Sequence, residues 1–210
     1  MKSPGDADED LQLLVSMIPN NENCIGIDEV GRGCLFGPVF AGAVLLTNRG
    51  EERLLKAGVK DSKALSKKER QRLFPLIKAE ASEWSLGQSS AREIDAFGIR
   101  KATELSMVRA LQKISNPFQL VRVDGSLPIR LWAGKQQTLI KGDNICTAIA
   151  AASVIAKVAR DLLMERLSKK FPEYSLNKNA GYGTKFHTEI LKTIGATPLH
   201  RKSFLRKILL

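Results

Sequence analysis

A chain of 210 residues is long enough for one large domain with a full hydrophobic core and needs no disulfide staple. Its 33 Lys and Arg against 22 Asp and Glu give a net charge of +11 and a pI near 9.7, a field that draws polyanions and makes nucleic acid the leading partner. The cysteines (Cys24, Cys34, Cys146) lack CxxC spacing, the apolar stretches are broken by Gly37, Pro38, Ser153 or Lys157, and the opening MKSPGDADED is acidic. These features exclude a disulfide framework and a membrane span, so a soluble, unprocessed, cytoplasmic protein is expected.

Residues 1–23 are expected to form a peripheral extension with one short helix, ending at the Pro-Asn-Asn break. CIGIDEVGRG (24–33) then runs an apolar strand into two adjacent acids and a Gly-Arg-Gly turn. Strand alternation points Ile25, Ile27 and Glu29 one way and Gly26 and Asp28 the other. A buried carboxylate here needs a compensating cation or donors, and a divalent metal is the obvious one. Gly31 and Gly33 permit positive φ or close approach to a ligand, and the Arg32 fork suits a phosphate or sugar. An exposed hairpin end with two solvated acids is the alternative on these ten residues.

PVFAGAVLLT (38–47) predicts a second, buried strand pairing with the first as a hairpin, with Gly42 marking a bulge or a close backbone approach. KDSKALS (60–66) is a polar loop rich in nearby Lys and Arg. Ser66 and Glu69 form a capping box that starts a helix to about Lys78, which Pro75 should kink or end early. Ala81–Ser89 is a third strand candidate. Ser90 and Glu93 form a second capping box, ahead of an amphipathic helix from about Ile99.

FQLVRVDG (118–125) is the next strand, ending on Asp124; an Asp-Gly turn explains that acid equally well. Gln137–Lys141 is a short last strand. A long buried helix is predicted from Asn144, its small first half letting neighbours approach, with Asp143 at its N-cap. Asp161 lies 18 residues further along that helix, roughly 27 Å at about 1.5 Å per residue, too far to share a metal cluster with Asp143. AGYGTKFH then enters a short helix stopping near Gly195, and HRKSF opens a basic C-terminal segment.

Asp28, Glu29, Asp124 and Asp143 all fall at strand ends or a helix start, where α/β sheets gather functional groups. Four acids without Cys or His make a hard oxygen site, matched to Mg²⁺ or Mn²⁺ and poorly to zinc. Two such ions roughly 3.5–4 Å apart suit phosphodiester hydrolysis.

At these residues the sequence resembles the type 2 ribonucleases H, in their bacterial ribonuclease HII branch. The blocks are IDEVGRG (27–33), GP (37–38), KDSKALS (60–66), EID (93–95), VDG (123–125), KGD (141–143), IAAASVIAKVARD (149–161), GYGTKFH (181–187) and HRKSF (200–204). The resemblance implies an α/β ribonuclease H-like fold, a central mixed sheet flanked by helices with a small helical C-terminal portion. The corresponding division is an extension (1–23), a catalytic core (24–172) and a duplex-holding segment (173–210). It implies that Asp28, Glu29, Asp124 and Asp143 are catalytic metal ligands for Mn²⁺ or Mg²⁺. The substrates would be RNA/DNA hybrids and duplex DNA containing single ribonucleotides, cut 5′ of the ribonucleotide by a monomeric enzyme.

It also gives Gly31, Arg32, Gly33 and Tyr182 the reading of the ribonucleotide, while Lys63 and Lys202 are candidate phosphate contacts. Departures are Cys34 and Phe36 in place of Pro and Ala, Gly98 in place of Asn, and Cys146 in place of Ser; oxidation sensitivity at Cys34 is an expectation. The remaining alternative is a catalytically inactive hybrid-binding module, but such a module would be expected to lose an acid, and all four are present.

Overall fold

The computed structural model describes residues 23–206 and Ile208; the expected N-terminal helix lies outside them. Five strands, β1 (Cys24–Val30), β2 (Val39–Leu46), β3 (Ala81–Ser89), β4 (Leu120–Asp124) and β5 (Gln136–Leu139), form one mixed sheet in the order β3-β2-β1-β4-β5. β1 pairs antiparallel with β2, as the hairpin reading expects, and parallel with β4, which pairs parallel with β5. The register Ile27↔Val123 therefore carries Asp28 and Asp124, one residue on, to the same level of adjacent strands.

Helix α1 (Asn48–Lys56), capped by the Thr47 side chain, is not predicted by the sequence; nine polar-rich residues containing Gly50 give little apolar periodicity to read. Helix α2 (Lys67–Glu80) carries the predicted Ser66–Glu69 capping box but does not end early at Pro75. Leu73 and Ile77, on either side of the proline, are both fully buried, and that packing carries the helix across the missing N–H. Helix α3 (Ala91–Leu111) is interrupted at Gly98, whose φ of 78° favours glycine, so the Ser90 capping box starts one segment and the amphipathic run from Ile99 is the other.

Asp143 does not cap the long helix. It lies inside a separate one-turn helix, α4 (Gly142–Ile145), entered through Lys141 at φ 55°, and the long helix α5 (Thr147–Lys170) begins after an extended Cys146. Gly142, the first residue of that turn, donates its amide to Asp124 of β4.

α5 lies against the sheet so closely that a Cβ at Gly26 would fall 2.1 Å from the Ala148 carbonyl carbon, and one at Gly42 2.4 Å from the Ala152 oxygen. Close approach, not a bulge, is thus the role of Gly42. Val44, Leu54, Leu73, Ile77 and Ile155 fill the core on that face; Ile25, Ile27, Ala43, Val123, Met107 and Leu111 fill the α3 face. Beyond α5 a 3₁₀ turn (Pro172–Tyr174), α6 (Leu176–Asn179), α7 (Lys185–Ile194) and α8 (Lys202–Leu205) share an apolar cluster with Leu35, Phe36 and Met164. α7 stops at Gly195, φ 82°, as predicted.

Candidate active site

Asp28, Asp124 and Asp143 converge. Each offers a carboxylate oxygen, and the three lie within 4.8 Å of one another. Asp28 and Asp143 are buried, so their charges lack the water that would solvate them. Burial, then the charges of Glu29 and Asp124, push Asp28 well above the ordinary carboxylate range. Burial, then Asp124 and Asp61, push Asp143 up to about 6. The cationic partner at hand is Lys63, whose Nζ is 4.0 Å from Asp143 on a largely exposed side chain. Three mutually repelling oxygens with one distant, solvated ammonium form a set of hard donors short of positive charge, which fits Mg²⁺ or Mn²⁺.

Backbone and hydroxyl donors orient this set. The Gly142 amide donates to Asp124 Oδ1 at 2.8 Å, and the Glu29 amide to Asp28 Oδ1 at 2.7 Å. Ser153 of α5 hydrogen-bonds Asp28, and its Oγ lies 2.6 Å from Ser62 Oγ. The KDSKALS loop is therefore tied to the acid cluster through two buried hydroxyls as well as through Lys63 and Asp61. These serines carry no sequence signal beyond lying inside shared blocks, so the sequence alone does not mark them as functional.

Glu29 is placed differently from the other three. It stands on the opposite face of β1, as alternation predicts, pairs with Arg32 at 3.1 Å and is outside the three-acid group. It still borders the site: burial raises its carboxyl, Arg32 opposes the rise, and the Asp124 charge adds to it. Glu29, Arg32 and Asp124 line one cleft together with Arg100, Glu104 and Gly125. Asp161, excluded from the cluster by helix arithmetic, is bound to Lys157 at 2.8 Å.

Beside the acids the structure joins two loops that lie far apart in the sequence. Cys34 bridges Tyr182, and the Gly181 carbonyl accepts from the amides of Leu35 and Phe36 at 2.8 and 3.2 Å. Gly31 takes φ 91°, where a Cβ would sit 2.3 Å from Arg160 Nε; Gly33 needs no positive φ. Two fully buried arginines hold the loops from beneath. Arg201 donates to the carbonyls of Gly31, Arg32 and Gly37 at 2.7, 2.7 and 2.9 Å, and Arg160 to those of Phe36, Pro38 and Ala180 at 3.1, 3.2 and 2.7 Å. Beyond lying inside the blocks IAAASVIAKVARD and HRKSF, neither arginine stands out in the sequence, where each reads as one more basic residue in a basic chain.

Tyr182 is 41 % exposed and the Arg32 side chain 51 %. Lys202 is exposed too, with its amide held at 2.9 Å by Asp95, the second acid of the EID block. Cys34 is fully buried and its thiol is pushed up by burial, which argues against the expected oxidation sensitivity. Phe36 packs among Phe171, Tyr174 and His200.

An acid cluster of oxygen donors alone, at the strand ends of a mixed sheet in a strongly basic chain, defines the class as a divalent-metal-dependent nuclease. Comparison with known proteins agrees. The family model described as Ribonuclease HII matches residues 25–207. The chain is 57% identical over 197 residues to a ribonuclease HII of Prochlorococcus marinus (strain MIT 9313), covering 94% of this chain and 90% of that one. It is 60% identical over 184 residues to one from Synechococcus sp. (strain WH7803), covering 88% and 95%. The crystal structure of ribonuclease H2 from Pyrococcus horikoshii OT3 superposes with a TM-score of 0.76 at 28% identity, covering 89% and 96%. The chain belongs to the ribonuclease HII family and is an endoribonuclease.

Proposed function

We propose that this endoribonuclease of RNA/DNA hybrids also incises 5′ of single ribonucleotides embedded in duplex DNA, by two-metal-ion hydrolysis that leaves a 3′-hydroxyl and a 5′-phosphate. The observation that carries the reading is the convergence of Asp28, Asp124 and Asp143 beside the joined Gly31–Gly33 and Tyr182 loops. Mg²⁺ or Mn²⁺ held by these acids, with Glu29 at the edge, would supply water activation and stabilisation of the departing oxygen. The protein's own part is orientation: Gly142 N–H fixes Asp124, and the Ser62–Ser153 pair fixes Asp28.

Telling RNA from DNA at one position requires donors and acceptors around a single 2′-hydroxyl. The Gly31–Gly33 backbone lies directly after Asp28 and Glu29 and brings such groups beside the acids, with Arg32 exposed above it. Tyr182 would stack on the following deoxyribose and reject a second 2′-hydroxyl. Lys63 and Lys202 are assigned to phosphates, residues 24–172 to catalysis and 173–210 to holding the duplex, in a monomer. Among the described residues no helix is long and apolar enough to cross a membrane.

The test is cleavage in Mg²⁺ or Mn²⁺ of a duplex containing one ribonucleotide, compared with an all-RNA/DNA hybrid. The expected product is a single incision on the 5′ side of the ribonucleotide. Cutting of the hybrid alone would contradict the reading.

A further inference from the structure

Two histidines that the catalytic reading leaves unused, His187 of GYGTKFH and His200 of HRKSF, are buried side by side at 0 and 1 % exposure. Their Nε2 atoms are 3.1 Å apart. His187 Nδ1 lies 2.9 Å from the carbonyl oxygen of Tyr182, and His200 Nδ1 lies 2.9 Å from the Thr197 amide nitrogen. Phe36 and Tyr174 close over the pair, each with its ring centroid 4.8 Å from that of His200.

Backbone chemistry decides where the protons sit. An amide N–H only donates, so His200 Nδ1 is the bare nitrogen and its proton is on Nε2. A carbonyl oxygen only accepts, so His187 Nδ1 carries the proton and its Nε2 is bare. One proton then remains for the Nε2–Nε2 contact, donated by His200 to His187. Two neutral rings in opposite tautomers satisfy every hydrogen bond of this chain, and no other arrangement does. Burial depresses both basicities, His200 to about 4, which keeps the rings neutral at physiological pH.

The chain ends on the backbone of the exposed tyrosine. The Tyr182 carbonyl accepts from His187 and from the Thr184 amide at 2.9 Å, while its own amide donates to the Asn179 carbonyl at 2.9 Å. On its other side the residue bridges Cys34, just past the Gly-Arg-Gly turn. We propose that His200 and His187 are positioning residues whose opposite tautomers lock the Tyr182 backbone, so that its ring meets the substrate at a fixed height beside the Gly31–Gly33 turn. This rests on the reading of Tyr182 as the residue that faces the ribonucleotide junction.

The experiment pairs ¹⁵N NMR of the histidine rings with kinetics on two substrates. At pH 7.5 the spectra should show His187 protonated on Nδ1 and His200 on Nε2; the same tautomer on both rings, or a doubly protonated ring, would overturn the lock whatever the variants do. In Mn²⁺, His187→Leu should lose about tenfold or more extra rate on the single-ribonucleotide duplex relative to a long hybrid, the scale of a small misplacement at a reacting centre. His187→Asn, whose amide can donate from the position of Nδ1, should recover most of that selective loss. Tyr182→Ala is measured alongside. A selective loss in Tyr182→Ala with equal losses in His187→Leu would overturn the lock and keep the junction reading; equal losses in Tyr182→Ala would overturn the reading on which the lock stands.

Discussion

Asp28, Asp124 and Asp143 crowd their oxygens within 4.8 Å with Lys63 no nearer than 4.0 Å to Asp143, whereas a few residues away the Gly31–Gly33 turn and the loops beside it are gripped by six guanidinium hydrogen bonds from Arg160 and Arg201. One region has hydrogen-bond donors but is short of positive charge, and in the other two buried guanidinium groups face the carbonyls directly. The difference separates two jobs. A cluster that must take up cations is built unbalanced, so that the ion supplies what the protein withholds. On the proposed reading of the Gly31–Gly33 turn as the wall that tells one sugar from another, rigidity serves discrimination, because that requires donors and acceptors that do not yield.

Breaking the unbalanced side should have the largest effect on activity. Asp124→Asn and Asp143→Asn are each expected to lower kcat by on the order of 10²–10³-fold or more, the scale for removing a group that stabilises developing charge. The same variants should leave the metal-free fold as stable as the parent or more so, since a repelling charge has gone. Steady-state kinetics beside thermal melts in EDTA check both halves; a metal-free protein that melts well below the parent would mean the acids are structural.

Breaking the rigid side should reverse that pattern. Arg201→Met leaves the carbonyls of Gly31, Arg32 and Gly37 without their buried donor, at about 1–3 kcal/mol for each one left unsatisfied. The melting temperature should drop sharply with and without metal, and activity should fall with it. A smaller effect sharpens the picture of the surface: replacing Lys63 and Lys202 by Ala should weaken binding to all duplex sequences alike. Removing each phosphate-neutralising charge should reduce the salt slope by roughly one unit. An unchanged slope would place the basic face elsewhere.

The strand ends and their acids are legible because period-2 alternation and apolar runs are local signals, and they put Asp28, Glu29 and Asp124 close to their observed places. Nine ordered blocks carry the family. What escapes is non-local or overridden by packing. Pro75 is outweighed by Leu73 and Ile77, and α1 has too little apolar pattern to show. Asp143 reads as a helix cap because Asp before a long apolar helix ordinarily is one; the separate turn at Gly142–Ile145, whose first amide holds Asp124, depends on the neighbouring strand. Arg160, Arg201, Ser62 and Ser153 find their partners across the fold, at separations that no short motif encodes.

An acid cluster built to take up a cation should reveal itself most directly in the Mn²⁺-induced rise in Tm as a function of pH. The folded-state carboxyls of Asp28, Glu29 and Asp143 are all raised, so each takes stability from the metal-free fold as pH climbs above the ordinary carboxylate range, Asp143 through about 6. A bound ion restores it on the deprotonated side. His187 and His200 are depressed and so cost stability as pH falls below their ordinary value, but they do so with and without Mn²⁺ and cancel in the difference. The Mn²⁺ increment should therefore be small at about pH 5 and grow as pH rises through about 6, and it should be largely lost in Asp143→Asn. An increment that is flat across this range, or that survives intact in Asp143→Asn, would contradict a metal site at Asp28, Asp124 and Asp143.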